Sequence, residues 1–287
     1  MSNLFTAHSR SWQGNRYVYP VISRRSKGLS IGINLNPDKV CNFGCLYCCV
    51  DRTEPPSIRD VDLGMVRDEL DRLLAAALSG DLFTGGPFEA TPLPLRRLND
   101  VAFSGDGEPT TYARFGEACR VAAEALLSQG AGDGRVRIVV ITNATLLHRP
   151  AVRDALAYLD TCHGEIWAKL DAGTEAYFRA VERTQVPFQR VLDNIRDAGR
   201  VRPIVIQSMF LRLGGAGPTS QEIKAYLQRL RELTDAGCQI RQVQVYTVAR
   251  RTASPEVGAL EDERLDEIAG AVCESGILAE AFHGTTS

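Results

Sequence analysis

Six times along its 287 residues this chain follows a short apolar strand pattern with an amphipathic helix pattern, and that alternation limits the fold more than any other feature. The strand-like stretches are LSIGINL (29–35), DVAFS (100–104), RVRIVVITN (135–143), EIWAKLD (165–171), RPIVIQSMF (202–210) and IRQVQVYTV (240–248). Over 61–78, Leu63, Val66, Leu70, Leu73, Leu74 and Ala77 share one helical face. Further helices are expected near 112–128, 150–158, 174–182, 188–198, 220–235 and 261–275. Crossovers of this length exclude hairpins and demand parallel strands with right-handed connections. RVRIVVITN is continuously apolar rather than alternating, the mark of a strand covered on both faces. The expectation is an α/β fold, an open or partial (β/α)6 barrel, with a doubly wound sheet as the runner-up. Residues 80–97, with a Gly-Gly pair, prolines and Arg96-Arg97, read as a loop or insertion. The reading divides the chain into an N-terminal extension (1–28), a core barrel (29–250) and a C-terminal helix and tail (251–287).

Composition excludes little but does set limits. At 44% hydrophobic and 24% charged residues the chain can bury a core without disulfide staples. A net charge of −2 argues against wholesale binding to a polyanion, so any nucleic-acid contact has to be local. The opening MSNLFTAHSR lacks the apolar core of a signal peptide, and no apolar run approaches the roughly 20 residues needed to cross a bilayer. The chain is therefore expected in the cytoplasm, away from membranes. In that reducing compartment, clustered cysteines bind metal rather than pair as disulfides.

The cluster is CNFGCLYCC, with Cys41, Cys45, Cys48 and Cys49 falling in nine residues. A structural zinc site wants four tetrahedral ligands, usually as two separated pairs. No second C-x2-C follows, and side chains of adjacent residues such as Cys48 and Cys49 point apart in extended chain. A [4Fe–4S] cluster suits thiolates better. Three of them in C-x3-C-x2-C spacing hold three irons and leave the fourth open to another ligand. The remaining cysteines (Cys119, Cys162, Cys238 and Cys273) are scattered singly and read as packing residues.

Barrel enzymes carry their chemistry at the C-terminal ends of strands. There the chain offers Thr142 and Asn143, which suit a ribose or carboxylate as well as a helix cap. Lys169 and Asp171 alternate with Trp167 on one face, so both point inward and need either each other or a ligand. Further on come Gln207 or Ser208, then Gln244, Tyr246 and Arg250. Which face strands five and six turn inward stays open by one residue.

The three-cysteine motif, with Tyr47 before its last member and a strand before it, resembles the signature of the radical S-adenosylmethionine (SAM) superfamily. The resemblance implies a partial barrel whose cluster, held by Cys41, Cys45 and Cys48, binds SAM at its open iron and cleaves it reductively to a 5′-deoxyadenosyl radical. Ser104-Gly105-Asp106-Gly107-Glu108-Pro109 resembles the family's GGEP segment, with Asp106 interrupting the glycine pair. It implies SAM contacts from Ser104, Asp106, Gly107 and Glu108, with Asn143, Lys169, Asp171 and Gln207 as further lining. Residues 23–48 (SRRSKGLSIGINLNPDKVCNFGCLYC), together with GEPT (107–110), ITNATLL and KLDAG, are similar to the wyosine-synthesis-like iron–sulfur oxidoreductases. This likeness covers about residues 20–215. Arg24 and Arg25 suit an anionic group or a solvated basic turn. Residues 1–40 carry no cysteine for the second cluster of the tRNA-modifying members, and Cys49 stands where Gln is common. Cys49 is left to pack, to sit by the cluster or to take part in catalysis, with Lys169 and Tyr246 as the other catalytic candidates. The implied electron donor is of flavodoxin or ferredoxin type. The substrate class (metabolite, peptide or RNA) is open, and Arg96, Arg97, Arg179, Arg183, Arg250 and Arg251 are the candidates for a basic rim. The competing reading is a [4Fe–4S] electron carrier or sensor that leaves SAM intact.

Overall fold

The computed structural model describes residues 12–250, 252 and 254–284. Arg251 and the first eleven residues of the expected N-terminal extension lie outside them. The chain forms two compact units, one drawn from Met1–Cys41, Pro55–Ile141 and Arg149–Glu165, the other from Asn42–Glu54, Thr142–His148 and Ile166–Ser287.

In the first unit the strands β1 (Val18–Ser23), β2 (Gly28–Ile33), β3 (Leu98–Phe103) and β4 (Arg137–Thr142) lie in that order. β1 runs antiparallel to β2, with Val18 opposite Ile33. β2, β3 and β4 are parallel, and Ile31, Val101 and Ile138 sit at one level, each fully buried. The helices α1 (Leu63–Ser79), α2 (Phe115–Ser128) and α3 (Pro150–Asp160) pack in sequence, α1 on α2 and α2 on α3. α1 starts where Asp62 accepts hydrogen bonds from the amides of Gly64 (2.8 Å) and Met65 (3.2 Å). It stops at Gly80, whose φ of 87° is the left-handed conformation glycine reaches without a Cβ clash. The expected loop over 80–97 consists of three single 3-10 turns.

The second unit takes up β5 (Gly164–Lys169) at Ile166 and continues with β6 (Ile204–Met209), β8 (Ile240–Tyr246) and β10 (Ala279–Phe282), all parallel. A small antiparallel pair, β7 (Leu211–Leu213) and β9 (Val257–Ala259), stands apart from them. The helices are α4 (Glu175–Glu182), α5 (Phe188–Val201), α6 (Ser220–Asp235) and α7 (Asp262–Glu274). Helix α6 is capped by Thr219, whose hydroxyl accepts from the Glu222 amide at 3.1 Å.

All six expected strands and all the expected helices form, with no end shifted by more than three residues. Four strands lie where no element was read from sequence: β1, β7, β9 and β10. β1 contains Pro20, which removes a ladder donor and argues against a strand unless it lies at an edge, and among the described strands β1 pairs with β2 alone. β10 is four residues long, and β7 and β9 are three each, too short to show a period.

One buried carboxylate ties the start of the chain to the first helix. Glu69 of α1 is 2% exposed and accepts hydrogen bonds from the amides of Arg16 (2.7 Å), Tyr17 (2.9 Å) and Val18 (3.0 Å). Replacing Glu69 by Ala orphans these donors, so Glu69→Ala is expected to lower unfolding stability by about 3 kcal/mol. Urea titration followed by circular dichroism measures the loss, and a change below about 0.5 kcal/mol would contradict this role.

Candidate active site: thiols and strand ends

In the first unit the segment after β3 packs against the end of β2. Asp106 accepts from Asn34 Nδ2 at 2.6 Å, and its amide donates back to Asn34 Oδ1 at 3.1 Å. Asn36 Nδ2 donates to Thr111 Oγ1 at 3.0 Å. A Cβ on Gly105 would stand 2.2 Å from Asn34 Oδ1, and one on Gly107 would stand 2.0 Å from the carbonyl of Val40. Gly107 is required because backbone meets backbone there, and Gly105 because the Asn34 side chain lies against it; Val40 directly precedes Cys41. Ser104 Oγ lies 3.2 Å from the Tyr19 hydroxyl. Glu108 is 3% exposed and caps the following turn, accepting from the Thr110 amide at 3.2 Å and its hydroxyl at 2.5 Å.

In the second unit the loop carrying Cys45, Cys48 and Cys49 is fastened to the end of α4. The amides of Gly44 and Leu46 donate to the carbonyls of Glu182 (3.0 Å) and Val181 (2.9 Å). Tyr47 is buried in an apolar group with Val181, Met209, Leu211, Tyr246 and Phe282. Its hydroxyl reaches Asp171 Oδ2 at 2.5 Å and Glu182 Oε1 at 3.1 Å. Asp171, with a side chain wholly inaccessible, also accepts from the Met209 amide at 2.6 Å and pairs with the Lys169 ammonium at 3.1 Å. Lys169 donates to the Tyr246 hydroxyl at 2.7 Å and lies 4.7 Å from the centre of the Tyr47 ring.

Charges in this group divide clearly. Burial pushes the Asp171 carboxyl up, but Lys169 outweighs burial and holds it below the ordinary carboxylate range. Burial disfavours the Lys169 ammonium, but Asp171 and Tyr246 outweigh that and raise its pKa. Glu182 goes the other way: burial and the neighbouring Asp171 charge push it well above the ordinary range. The group thus sets an ion pair beside a carboxyl whose neutral form burial favours. Cys45 Sγ lies 2.6 Å from Glu182 Oε2, and burial and then Glu182 raise its pKa.

The candidates fall into separate groups. Lys169, Asp171, Tyr246, Tyr47 and Cys45 come together, as do Ser104, Asp106, Gly107 and Glu108 around the end of β2. Asn143 belongs to a third group: its Nδ2 donates to Asn42 Oδ1 at 2.7 Å, and its Oδ1 accepts from the Thr145 amide and hydroxyl. Gln207 lies beside Lys169 across the sheet, fully buried, with Nε2 on Gln244 Oε1 at 2.7 Å and, among the described residues, no partner for Oε1. The open face of strand five is thereby decided, since Ser208 turns the other way to the Tyr226 hydroxyl of α6. Cys41, Cys45 and Cys48 are half-buried, whereas Cys49 is exposed, with Sγ 3.8 Å from the Tyr47 carbonyl. Arg52 donates to Cys48 Sγ at 3.0 Å.

Glu182 was not read from the sequence. The signal was there: Phe178, Val181 and Glu182 form the buried face of α4, which puts a carboxyl on an inward stripe. The basic-rim expectation fails for several residues. Arg96 and Arg97 precede β3 at its N-terminal end; Arg24 and Arg25, read apart from the rim as an anion contact or a basic turn, lie in the β1–β2 turn. Arg179 pairs with Glu175 on its own helix at 2.6 Å.

Residues 35–230 match the profile of the radical SAM superfamily. The chain is 22% identical over 254 residues to a protein named GTPase Obg from Brachyspira hyodysenteriae, covering 88% of this chain and 32% of that one. It therefore spans about a third of that relative's length. It is 24% identical over 251 residues to a UPF0026 protein of Helicobacter pylori, covering 86% of this chain and 70% of that one. Among solved structures it resembles a radical SAM methyltransferase from Sphaerobacter thermophilus, with a TM-score of 0.63, 15% identity, and coverage of 95% of this chain and 71% of that one. It also resembles TYW1 with a lysine–pyruvate adduct bound, with a TM-score of 0.56, 14% identity, and coverage of 92% and 85%. Likeness at these identities is likeness of fold, and the fold is the partial barrel of parallel strands expected from the sequence.

Removing one partner of a buried ion pair leaves the other charge uncompensated. Lys169→Met is therefore expected to cost about 3–5 kcal/mol of stability, whereas the double variant Lys169→Met/Asp171→Leu loses less than the single one. Equilibrium denaturation of both variants checks the ordering, and equal losses would contradict it.

Proposed function

This chain belongs to the radical SAM superfamily, and from that membership we propose that it is a cytoplasmic iron–sulfur oxidoreductase. In this reading Cys41, Cys45 and Cys48 hold a [4Fe–4S] cluster, and SAM binds its remaining iron. When bound, the cluster and SAM supply a 5′-deoxyadenosyl radical by one-electron reduction and cleavage of SAM, and the radical takes a hydrogen atom from the substrate or adds to it. The observation that carries the reading is the C-x3-C-x2-C motif inside the matched region. The donor set fits: three half-buried thiols, the chemistry an iron–sulfur cluster takes. Among the described residues no three His, Cys, Asp or Glu side chains are gathered round one point as a metal site. The fit is therefore one of donor chemistry and spacing.

The chain's own residues have distinct tasks. Gly105 and Gly107 let the segment after β3 lie against the backbone that leads into Cys41. Ser104, Asp106, Glu108, Asn143 and Gln207 are proposed to contact SAM, with Gln207 Oε1 as a buried acceptor still in need of a donor. Lys169 keeps a fixed positive charge beside Tyr246, suited to orienting an anionic group of SAM or substrate. Tyr47 and Glu182 brace the thiol-bearing loop. Cys49 is the bystander thiol. The electron comes from a flavodoxin- or ferredoxin-type donor, as is general in the superfamily. No helix among the described residues is long and apolar enough to cross a membrane. The substrate class stays open among metabolite, peptide and RNA.

Anaerobic reconstitution with iron and sulfide is expected to give a brown protein that releases 5′-deoxyadenosine from SAM in the presence of dithionite. Ala at Cys41, Cys45 or Cys48 abolishes both colour and release, and Cys49→Ala keeps both. A brown protein that leaves SAM intact indicates an electron carrier or sensor instead. A colourless, zinc-loaded protein defeats the cluster assignment altogether.

A further inference from the structure

The N-terminal ends of the strands in the first unit carry a different chemistry from the C-terminal ends. Between the last turn of α1, the loop that follows α2 and the starts of β3 and β4 lies a cleft of about 660 Å³. That volume falls within the range of small-molecule sites, roughly 300–1,000 Å³. Its apolar wall includes Leu78, Leu98, Ala131 and Val136, and its polar lining includes Arg96, Arg97, Arg135 and Arg137. Against these four guanidinium groups the lining sets the single carboxylate of Asp133, which Arg135 engages at 2.6 Å.

The arginines differ in how firmly they are held. Arg96 is fixed as wall: its Nε and Nη2 donate to the carbonyls of Thr91 and Glu89, both at 2.8 Å, and its guanidinium lies over the Phe83 ring. Arg137 is pinned by Glu165 at 3.1 Å. Arg97 is exposed and donates through Nε to Asn99 Oδ1 at 2.6 Å, which aims the side chain and leaves its two terminal nitrogens unengaged among the described residues. Asn99 is itself buried and holds the Ser26 carbonyl of the β1–β2 turn at 2.6 Å. Arg97 is thus aimed by a second side chain that is locked in place, and Arg135 is the partner at the mouth, with its side chain 80% exposed and paired with Asp133.

We propose that this cleft is a binding site for a small organic phosphate, separate from the cluster and SAM residues. Planar guanidinium groups match phosphate oxygens two at a time, and several of them favour a dianion over a single carboxylate. The apolar wall accommodates the carbon body of the ligand. β3 runs six residues from Leu98 to Phe103, about 20 Å at 3.3 Å per residue, so a ligand at its start does not touch the Ser104–Glu108 segment assigned to SAM in the same unit. Such a site would sense a phosphorylated effector or anchor the phosphate of a larger metabolite.

The test is isothermal titration of the reconstituted full chain, saturated with SAM, against ribose 5-phosphate and against pyrophosphate. Both are expected to bind, more weakly as salt is raised. Arg97→Gln and Arg135→Gln should each weaken binding about tenfold, the loss of one charge-assisted contact. Asp133→Asn should strengthen it, a change of opposite sign that misfolding cannot mimic. The proposal fails if neither probe binds at millimolar concentration. It also fails if binding ignores all three substitutions, or if an acidic peptide binds where both phosphates do not. SAM cleavage by the Arg97→Gln variant stays at the parent level whichever way the titration falls, so the two readings are tested apart.

Discussion

The second unit is organised around the ion pair of Lys169 and Asp171. A largely buried charged pair is kept only where hydrogen bonds offset its lost hydration. Asp171 meets that demand with the Met209 amide and the Tyr47 hydroxyl, and Lys169 with the Tyr246 hydroxyl. The pair thereby joins the ends of β5, β6 and β8 to the loop after Cys41. Tyr47 stands between Cys45 and Cys48 in the chain, so the same bond that satisfies Asp171 also orients the backbone bearing two thiols. Packing of Tyr47 against Val181, Met209 and Phe282 excludes water from the pair and strengthens it.

The first unit shows how one set of parallel strands yields two chemically distinct ends. At the C-terminal ends, side chains are short and glycines let segments approach closely, Gly105 against the Asn34 side chain and Gly107 against the Val40 carbonyl. At the N-terminal ends the chain places arginines, with amide and carboxylate side chains to hold them. Barrel enzymes generally keep catalysis at the former and stability at the latter. A basic cleft at the N-terminal ends leaves room for a function that does not compete with catalysis.

Much of this was legible in the sequence, for identifiable reasons. Runs such as RVRIVVITN and the helical stripe from Leu63 to Ala77 declare themselves because burial imposes a period on residue type. The inward orientation of Lys169 and Asp171 follows from alternation along a strand, and their pairing confirms it. β1 was not legible because Pro20 breaks the strand pattern, and β10 because four residues carry too little period. Glu182 escaped notice because its partners, Tyr47 and Cys45, lie more than 130 positions away in the chain. The basic residues were visible, but their place was not: Arg96 and Arg97 lie one strand-length from the end where a substrate rim would be.

The sequence by itself determined the alternation of strands and helices, the thiol spacing and the family. All three are local, written in residue type over short windows. Only the tertiary structure decided which charges are partnered, that Ser208 faces α6 while Gln207 lies beside Lys169, and that the arginines gather at the N-terminal strand ends. These depend on which strands become neighbours and in what register, and register is set by long-range pairing that no short window contains.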